Sequence, residues 1–106
     1  MLEPEFERLA VFALQRLEQA LEASGADLDI ETKGDGLIEI EFADGGKLIV
    51  NRHSPAREIW VAAKSGGFHF RWTDGQWVDT RRGEELALCV ANLIKEHSGQ
   101  QVELKI

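Results

Sequence analysis

The stretch from Asn51 to Phe70 constrains the fold of this chain more than any other. It contains a turn with proline, an alternating segment, a Gly-Gly turn and a second alternating segment, which together predict a β-hairpin. In the first segment Ile59 and Val61 lie on one face of a strand, because successive side chains point to opposite faces. Trp60 therefore points away from the core, so it is either covered by a second layer or left open to a partner.

Short alternating segments flank this hairpin and are separated by tight turns, among them residues 34–36. Leu28 and Ile30, for example, alternate with acidic residues. We predict six strands and a further short one near the end of the chain, at residues 26–33, 37–42, 47–51, 58–62, 68–72, 76–79 and 101–105. The tight turns imply that neighbouring strands pair antiparallel.

Two amphipathic helices frame the strands, at residues 4–23 and 84–97. The apolar face of the first helix consists of Phe6, Leu9, Ala10, Ala13, Leu17 and Leu21, and Phe12 lies off this face. Two helices with apolar faces and an antiparallel sheet predict an α+β fold, a two-layer α/β sandwich with both helices on one face of about six strands. We expect residues 1–106 to form a single domain.

The sheet face opposite the helices has no remaining segment to cover it. We therefore expect its outward-facing side chains to be exposed to solvent, namely Glu39, Glu41, Ile49, Asn51 and Trp60. An exposed Trp on such a face favours a protein contact. The alternative is that the ring lies flat over the stems of neighbouring Lys or Arg side chains.

Acidic residues are concentrated in the first half of the chain. Residues 1–50 contain twelve Asp or Glu and four Lys or Arg, whereas residues 51–106 contain seven and eight. The negative field repels nucleic acid and anionic membranes, and it attracts cations or a basic protein surface. No apolar run is long enough to span a bilayer and the N-terminus lacks the features of a signal peptide. We therefore expect a cytoplasmic protein, with the alternative that a presequence has been removed from the chain.

The sequence contains no motif of ordinary catalysis. His53, His69 and His97 lack the spacing of metal ligands, and neither a nucleophile–base set nor a phosphate-binding loop occurs. Cys89, the single cysteine, lies among apolar residues of the second predicted helix, which indicates a small core residue rather than a nucleophile. We therefore expect no catalytic residues and no organic cofactor.

Carboxylates in the first helix and the first strand form the clearest candidate for a binding site. They are Glu18, Glu22, Asp27, Asp29 and Glu31. Oxygen ligands alone suit hard cations such as Fe³⁺, Mg²⁺ and Ca²⁺, and without an enclosing loop such binding is weak and labile. For Glu18 and Glu22, which are four apart on the helix, a solvated polar face is the alternative interpretation.

The segment NRHSPAREIWVAAKSGGFHF at 51–70 resembles the central signature of the frataxin family, in particular its short bacterial, CyaY-type form. The similarity extends to EF-x-RLA at 5–10, to WVD at 77–79 and to the GE pair at 83–84, so it covers nearly the whole chain. The resemblance implies two helices packed on an antiparallel sheet, weak binding of iron as Fe²⁺ or Fe³⁺, and a role in iron–sulfur cluster assembly.

Frataxins contact the cysteine desulfurase and the scaffold protein of cluster assembly, and they have been viewed as iron donors, iron sensors and regulators of the desulfurase. The resemblance places iron on an acidic ridge, defined here as Glu18, Glu22, Asp27, Asp29 and Glu31. It places a partner face at Trp60 with Asn51 and His53, to which we add Glu39 and Glu41 of the same sheet face. We expect a monomer that forms oligomers with iron.

The chain departs from the family pattern at the acidic ridge. Gln19, Ala20, Ala23 and Ser24 interrupt the acidic run that usually ends the first helix, so we expect fewer or weaker iron sites. We also expect no tail to cover the groove between the helices. Two alternatives stay open: an enzyme that oxidises iron at the acidic surface, and an acidic adaptor that binds proteins without metal.

Overall fold

The structure is a computed structural model that describes residues 1–34 and 36–106. Along the chain lie helix α1 (Glu3–Ala23), strands β1 (Leu28–Lys33), β2 (Leu37–Phe42) and β3 (Lys47–His53), a 3-10 turn (Ser54–Ala56), strands β4 (Glu58–Ala63), β5 (Gly66–Thr73) and β6 (Gln76–Asp79), and helix α2 (Leu86–Ser98). The strands form one sheet in the order β1 to β6, and each pairs antiparallel with the next. The predicted turn at 34–36 includes Asp35, which lies outside the described residues.

The core lies between the sheet and the two helices. In β2 the inward Ile38, Ile40 and Phe42 are buried, and the residues between them are half-buried, as the alternation of a strand requires. Apolar side chains of both helices join the inner sheet face in one buried cluster. The predicted two-layer α+β sandwich, with both helices on one face, is therefore confirmed.

Helix α1 buries the predicted apolar face with two differences. Leu14, which that face omitted, is buried, whereas Leu9 is only half-buried. Leu14 lies four residues after Ala10 and widens the apolar stripe, as is usual for a helix that packs on a sheet. Phe12 is exposed, as its position off the stripe predicted. Among the described residues, neither helix is long and apolar enough to cross a membrane.

Helix α2 begins at Leu86, two residues later than predicted. Glu85 adopts an extended conformation before it, and its carboxylate accepts hydrogen bonds from the backbone N–H groups of Ala87 (3.0 Å) and Leu88 (3.3 Å). Glu85 is thus the N-cap of the helix. A bridge between Val78 and Glu85 also holds this part of the chain beside β6. The strand boundaries differ from the predicted ones by no more than two residues.

The last predicted strand, near the C-terminus, does not form. The Gln100 side chain holds this segment beside the start of β1, because the Asp27 N–H donates to its Oε1 (2.6 Å) and its Nε2 donates to the Asp27 carbonyl (3.3 Å). Leu104 is 9% exposed and lines, with Ala13 of α1 and Ala87 of α2, a groove of about 340 Å³. The expectation that no tail covers the groove between the helices is therefore wrong.

Candidate metal and partner surfaces

The acidic residues of β1 and β2 lie side by side on the outer face of the sheet. In the antiparallel register Asp29 pairs with Glu41, and Glu31 pairs with Glu39. Side chains at paired positions have Cβ atoms about 5 Å apart, so these four carboxylates form a continuous surface. Two sets that were predicted separately, the acidic ridge and the partner face, therefore adjoin each other.

Glu39 is held in ion pairs and is not the exposed carboxylate that was predicted. Its two oxygens lie 2.8 Å from Lys33 Nζ and 2.8 Å from Lys47 Nζ, and its side chain is 13% exposed. Hydrogen bonds from the two lysines lower the pKa of Glu39 to about 2, and the carboxylate raises the pKa of both ammonium groups. Glu39 consequently offers a cation less uncompensated charge than Asp29 or Glu31.

A Glu39→Gln variant is expected to lose stability at neutral pH but not in acid. The pKa of Glu39 in the folded chain lies below that of an unfolded Glu, about 4.3. Its carboxylate therefore stabilises the fold above about pH 5, and this contribution is lost as the pH falls towards about 2. Urea unfolding of both proteins at several pH values measures the difference, which should be constant above about pH 5 and shrink below about pH 4.

The control for this prediction is Glu103→Gln, because Glu103 is exposed and lies 3.8 Å from an equally exposed Lys105. That variant should match the parent chain at every pH. A Glu39→Gln difference that stays unchanged between about pH 5 and about pH 3 would contradict the prediction.

The acidic side chain of Glu18 in α1 approaches β1 from the other side of the sheet. Glu18 accepts a hydrogen bond from the Thr32 hydroxyl, and Thr32 pairs with the inward-facing Ile38. Glu18 therefore lies on the helix side of the sheet edge, whereas Asp29 and Glu31 lie on its outer side. The acidic ridge wraps around the edge strand β1 and does not form one flat surface.

The other ridge residues, Glu22 and Asp27, are exposed. Across residues 1–34 and 36–106, no group of three or more His, Cys, Asp and Glu side chains is arranged to hold a metal ion. The donor atoms of the ridge suit a hard cation in kind, but their arrangement leaves most of the coordination sphere to water. Such contacts are weak and sensitive to salt.

Trp60 lies in the middle of a stack of three rings on the outer sheet face. The ring centroids of His53 and Trp60 are 3.7 Å apart with an angle of 11° between the planes, and those of Trp60 and His69 are 4.7 Å apart with an angle of 15°. Imidazoles therefore cover both faces of the indole, in place of the Lys or Arg stems of the alternative prediction. We call these three residues the ring stack.

The outer sheet face is consequently less exposed than predicted. The side chains of neighbouring strands cover one another, and all of the residues expected to be exposed are half-buried, namely Glu39, Glu41, Ile49, Asn51 and Trp60. Asn51 pairs with Trp60 across β3 and β4. The partner face is thus a packed surface and not a set of free side chains.

Glu58 is a buried carboxylate that positions the ring stack, and it was not among the residues predicted for the partner face. Its side chain is 6% exposed and accepts hydrogen bonds from Trp60 Nε1 (2.8 Å) and Arg71 Nε (2.7 Å), with His69 Nδ1 at 3.5 Å. Burial acts to raise the pKa of Glu58, but these hydrogen bonds outweigh it and the pKa is lowered. The available signal was that Glu58 and Trp60, two residues apart, share one strand face.

His97 is remote from the ring stack. Its Nε2 lies 2.9 Å from Asp44 Oδ1, and its ring stacks on Phe42 with centroids 4.1 Å apart, which joins the end of α2 to the turn after β2. The hydrogen bond from His97 lowers the pKa of Asp44. The three histidines therefore stack on aromatic rings at two separate places, and His69 and His97 also lie beside carboxylates.

Cys89 is buried in α2, as predicted. Burial, with the nearby Glu84 carboxylate as the next cause, raises the pKa of its thiol to about 12.

Because the thiolate is the reactive form of Cys89, we expect a disulfide reagent such as DTNB to modify the native chain no faster than it unfolds, and to react rapidly in concentrated guanidinium chloride. Rapid modification under native conditions would show that the thiol is accessible.

The model of the frataxin-like domain matches residues 1–100 of the chain. The chain belongs to the frataxin family. The iron-sulfur cluster assembly protein CyaY of Dechloromonas aromatica is 51% identical to it over 99% of this chain and 100% of that protein. Proteins of the same name from Cupriavidus metallidurans and Vibrio cholerae are 47% and 41% identical, each over 97% of this chain and over 96% and 98% of their own lengths. The predicted bacterial, CyaY-type form of frataxin is thus confirmed.

Solved frataxin structures share the fold. The frataxin of Psychromonas ingrahamii has a TM-score of 0.91 and 33% identity, with full coverage of both chains. A trimeric frataxin from the yeast Saccharomyces cerevisiae, complexed with ferrous iron, has a TM-score of 0.66 and 26% identity over 91% of this chain and 87% of that one. The two helices and six antiparallel strands are therefore the frataxin fold.

Proposed function

We propose that this frataxin is a non-catalytic iron-binding accessory protein of iron–sulfur cluster assembly, which donates or senses iron and regulates the cysteine desulfurase. The observation that carries the proposal is the layout of the outer sheet face. The carboxylates of Asp29, Glu31 and Glu41 occupy its β1–β2 edge, and Trp60 occupies its β4 region. One side of the molecule can thus meet a basic surface and an aromatic-binding surface at the same time. The CyaY relatives, named for cluster assembly, support this role.

Iron is the cargo in this proposal, and the acidic ridge holds it weakly. Asp29 and Glu31 would contribute from the outer side of β1, and Glu18, Glu22 and Asp27 from its other side and its start. An anaerobic NMR titration with Fe²⁺ tests this, because paramagnetic iron broadens nearby signals. We expect broadening confined to the ridge at sub-millimolar iron. If no ridge signal broadens there, the chain is an acidic adaptor that binds proteins without metal.

Two partners follow from the two parts of the surface. The acidic ridge attracts a basic patch of the cysteine desulfurase, where complementary charge sets encounter rate and register. Trp60, Asn51 and His53 contact the iron–sulfur scaffold protein.

We further propose that residues 1–106 act as one domain in the cytoplasm. The chain is a monomer that associates further when iron is added. Sedimentation velocity with and without Fe²⁺ measures that association.

A cluster assembly assay tests the proposed function directly. Purified desulfurase and scaffold are supplied with cysteine and several iron concentrations, with and without this protein. We expect the protein to change the rate of cluster formation, and the size of the change to depend on iron. An identical rate with and without the protein at every iron concentration would refute the proposal.

The proposal also excludes iron oxidation as the activity. An enzyme of that kind would need two irons bridged by carboxylates, with access for O₂. We expect Fe²⁺ to be oxidised no faster with the protein than in buffer alone. An acceleration that rises with protein concentration would favour the enzyme instead.

A further inference from the structure

We propose that His69 makes the Trp60 surface selective for a carboxylate-bearing segment of the scaffold protein, and that it strengthens this contact as the pH falls from about 8 to about 5.5. The inference rests on the proposed function, in which Trp60 contacts that partner. It adds the chemistry of the partner segment and a residue that responds to pH.

The geometry of the ring stack decides which part of Trp60 a partner can reach. His53 and His69 lie parallel to the indole at centroid distances of 3.7 and 4.7 Å, so no side chain of a partner can stack on either indole face. The outward edge of the indole then remains for contact. The edge of an aromatic ring is the positive part of its quadrupole, so it favours carboxylate or carbonyl oxygens over cations.

The charged groups around the ring stack also favour a carboxylate over a cation. Glu58, the carboxylate beneath it, is buried and bound to the Arg71 guanidinium at 2.7 Å. The Arg71 side chain is 66% exposed and presents its remaining N–H groups to solvent. The acidic residues Asp29 and Glu31 belong to β1, which lies three strands from β4 in the sheet. A partner at the ring stack therefore meets the free N–H donors of Arg71.

His69 is the imidazole of the ring stack that lies beside a carboxylate. Its Nδ1 lies 3.5 Å from Glu58 Oε1, so added charge faces a carboxylate. The charged groups that face His69 are the Glu58 carboxylate on β4 and the Arg71 guanidinium on β5, and their charges cancel. A proton on His69 would therefore make the patch net positive. Imidazole is the side chain that changes charge between about pH 8 and about pH 5.

His53 covers the opposite indole face and differs from His69 in one respect. Its Nδ1 is buried and has no hydrogen-bond partner among the described residues, although Glu58 is its paired residue on β4. His53 therefore provides a matched control, because it stacks on the same ring but lacks the ionic partner of His69.

The test uses NMR titration of the full chain with two short peptides, one with two leucines and two glutamates, the other with glutamines in place of the glutamates. The indole N–H signal of Trp60, assigned with a Trp60→Phe variant, reports binding at about pH 8 and about pH 5.5, where peptide glutamates stay ionised. Salt at about 0.15 M screens the distant acidic ridge. We expect the glutamate peptide to bind at least about threefold more tightly at the lower pH, and the glutamine peptide to show no such change.

The variants decide which histidine is responsible. His69→Gln should bind the glutamate peptide equally at both pH values, whereas His53→Gln should keep the pH dependence. The inference is overturned if His69→Gln keeps the dependence, if both peptides bind alike, or if neither peptide shifts the Trp60 signal. Peptide binding requires neither iron nor desulfurase, so this result and that of the cluster assembly assay can fail independently.

Discussion

Replacing Asp29 and Glu31 together by lysine is expected to weaken binding to a cysteine desulfurase at least about tenfold at low salt. Both carboxylates are exposed on the outer side of the edge strand, and neither is ion-paired among the described residues. Reversing the two charges turns attraction to a basic patch into repulsion, which costs several kcal/mol of binding free energy for closely opposed charges. A loss of about 1.4 kcal/mol already corresponds to a tenfold weaker affinity. Affinity measured by calorimetry at rising salt should show the loss shrinking as charges are screened.

The matched control reverses two exposed acids elsewhere, Glu96→Lys on α2 and Glu103→Lys in the tail. It changes the net charge equally, so any effect it has reports the overall field and not the ridge. A parallel pair, Glu18→Lys and Glu22→Lys, tests the helix side of the ridge. Unchanged affinity in both ridge pairs would remove the acidic ridge from the desulfurase contact.

Leu104→Ala is expected to destabilise the chain by about 2–3 kcal/mol and to lower the melting temperature by about 10 °C. Leu104 is 9% exposed although it lies in a segment without regular structure, and it packs in the core cluster. Removing its side chain opens the groove between the first turn of α2 and α1. Thermal and urea unfolding, followed by circular dichroism, measure the effect.

Leu88→Ala provides the control for Leu104, because the same side chain is 54% exposed on α2. It should change the free energy of unfolding by no more than about 0.5 kcal/mol. Equal effects of the two substitutions would mean that the tail does not belong to the core.

The fold could be predicted because its signals are local. The alternation of apolar and polar residues in segments such as 37–42 indicates which face of a strand is apolar, and the spacing of apolar residues by three and four does the same for α1. Counting two helices against one sheet then leaves a single arrangement in which every apolar face is buried. The last predicted strand, at 101–105, was wrong because alternation describes only neighbouring residues. The tail is instead held where the Gln100 side chain binds the Asp27 backbone, a contact between residues far apart in the chain.

The candidate surfaces could be predicted only in part. The acidic residues and Trp60 were identified from their types and faces, but exposure depends on neighbours in other strands. Lys33 and Lys47 converge on Glu39 because β1 and β3 flank β2. His53 and His69 converge on Trp60 because β3 and β5 flank β4. Strand order, which no single segment encodes, decides both results.

The sequence by itself determined the family, the two-layer sandwich, the negative first half and the position of Trp60 on the outer face, because each depends on residue type and on periods of two or about 3.6. The tertiary structure alone decided that the acidic ridge wraps around β1, that ion pairs with lysines balance the charge of Glu39, and that Glu58 holds a ring stack. These depend on distances between side chains of different strands, and sheet pairing sets those distances.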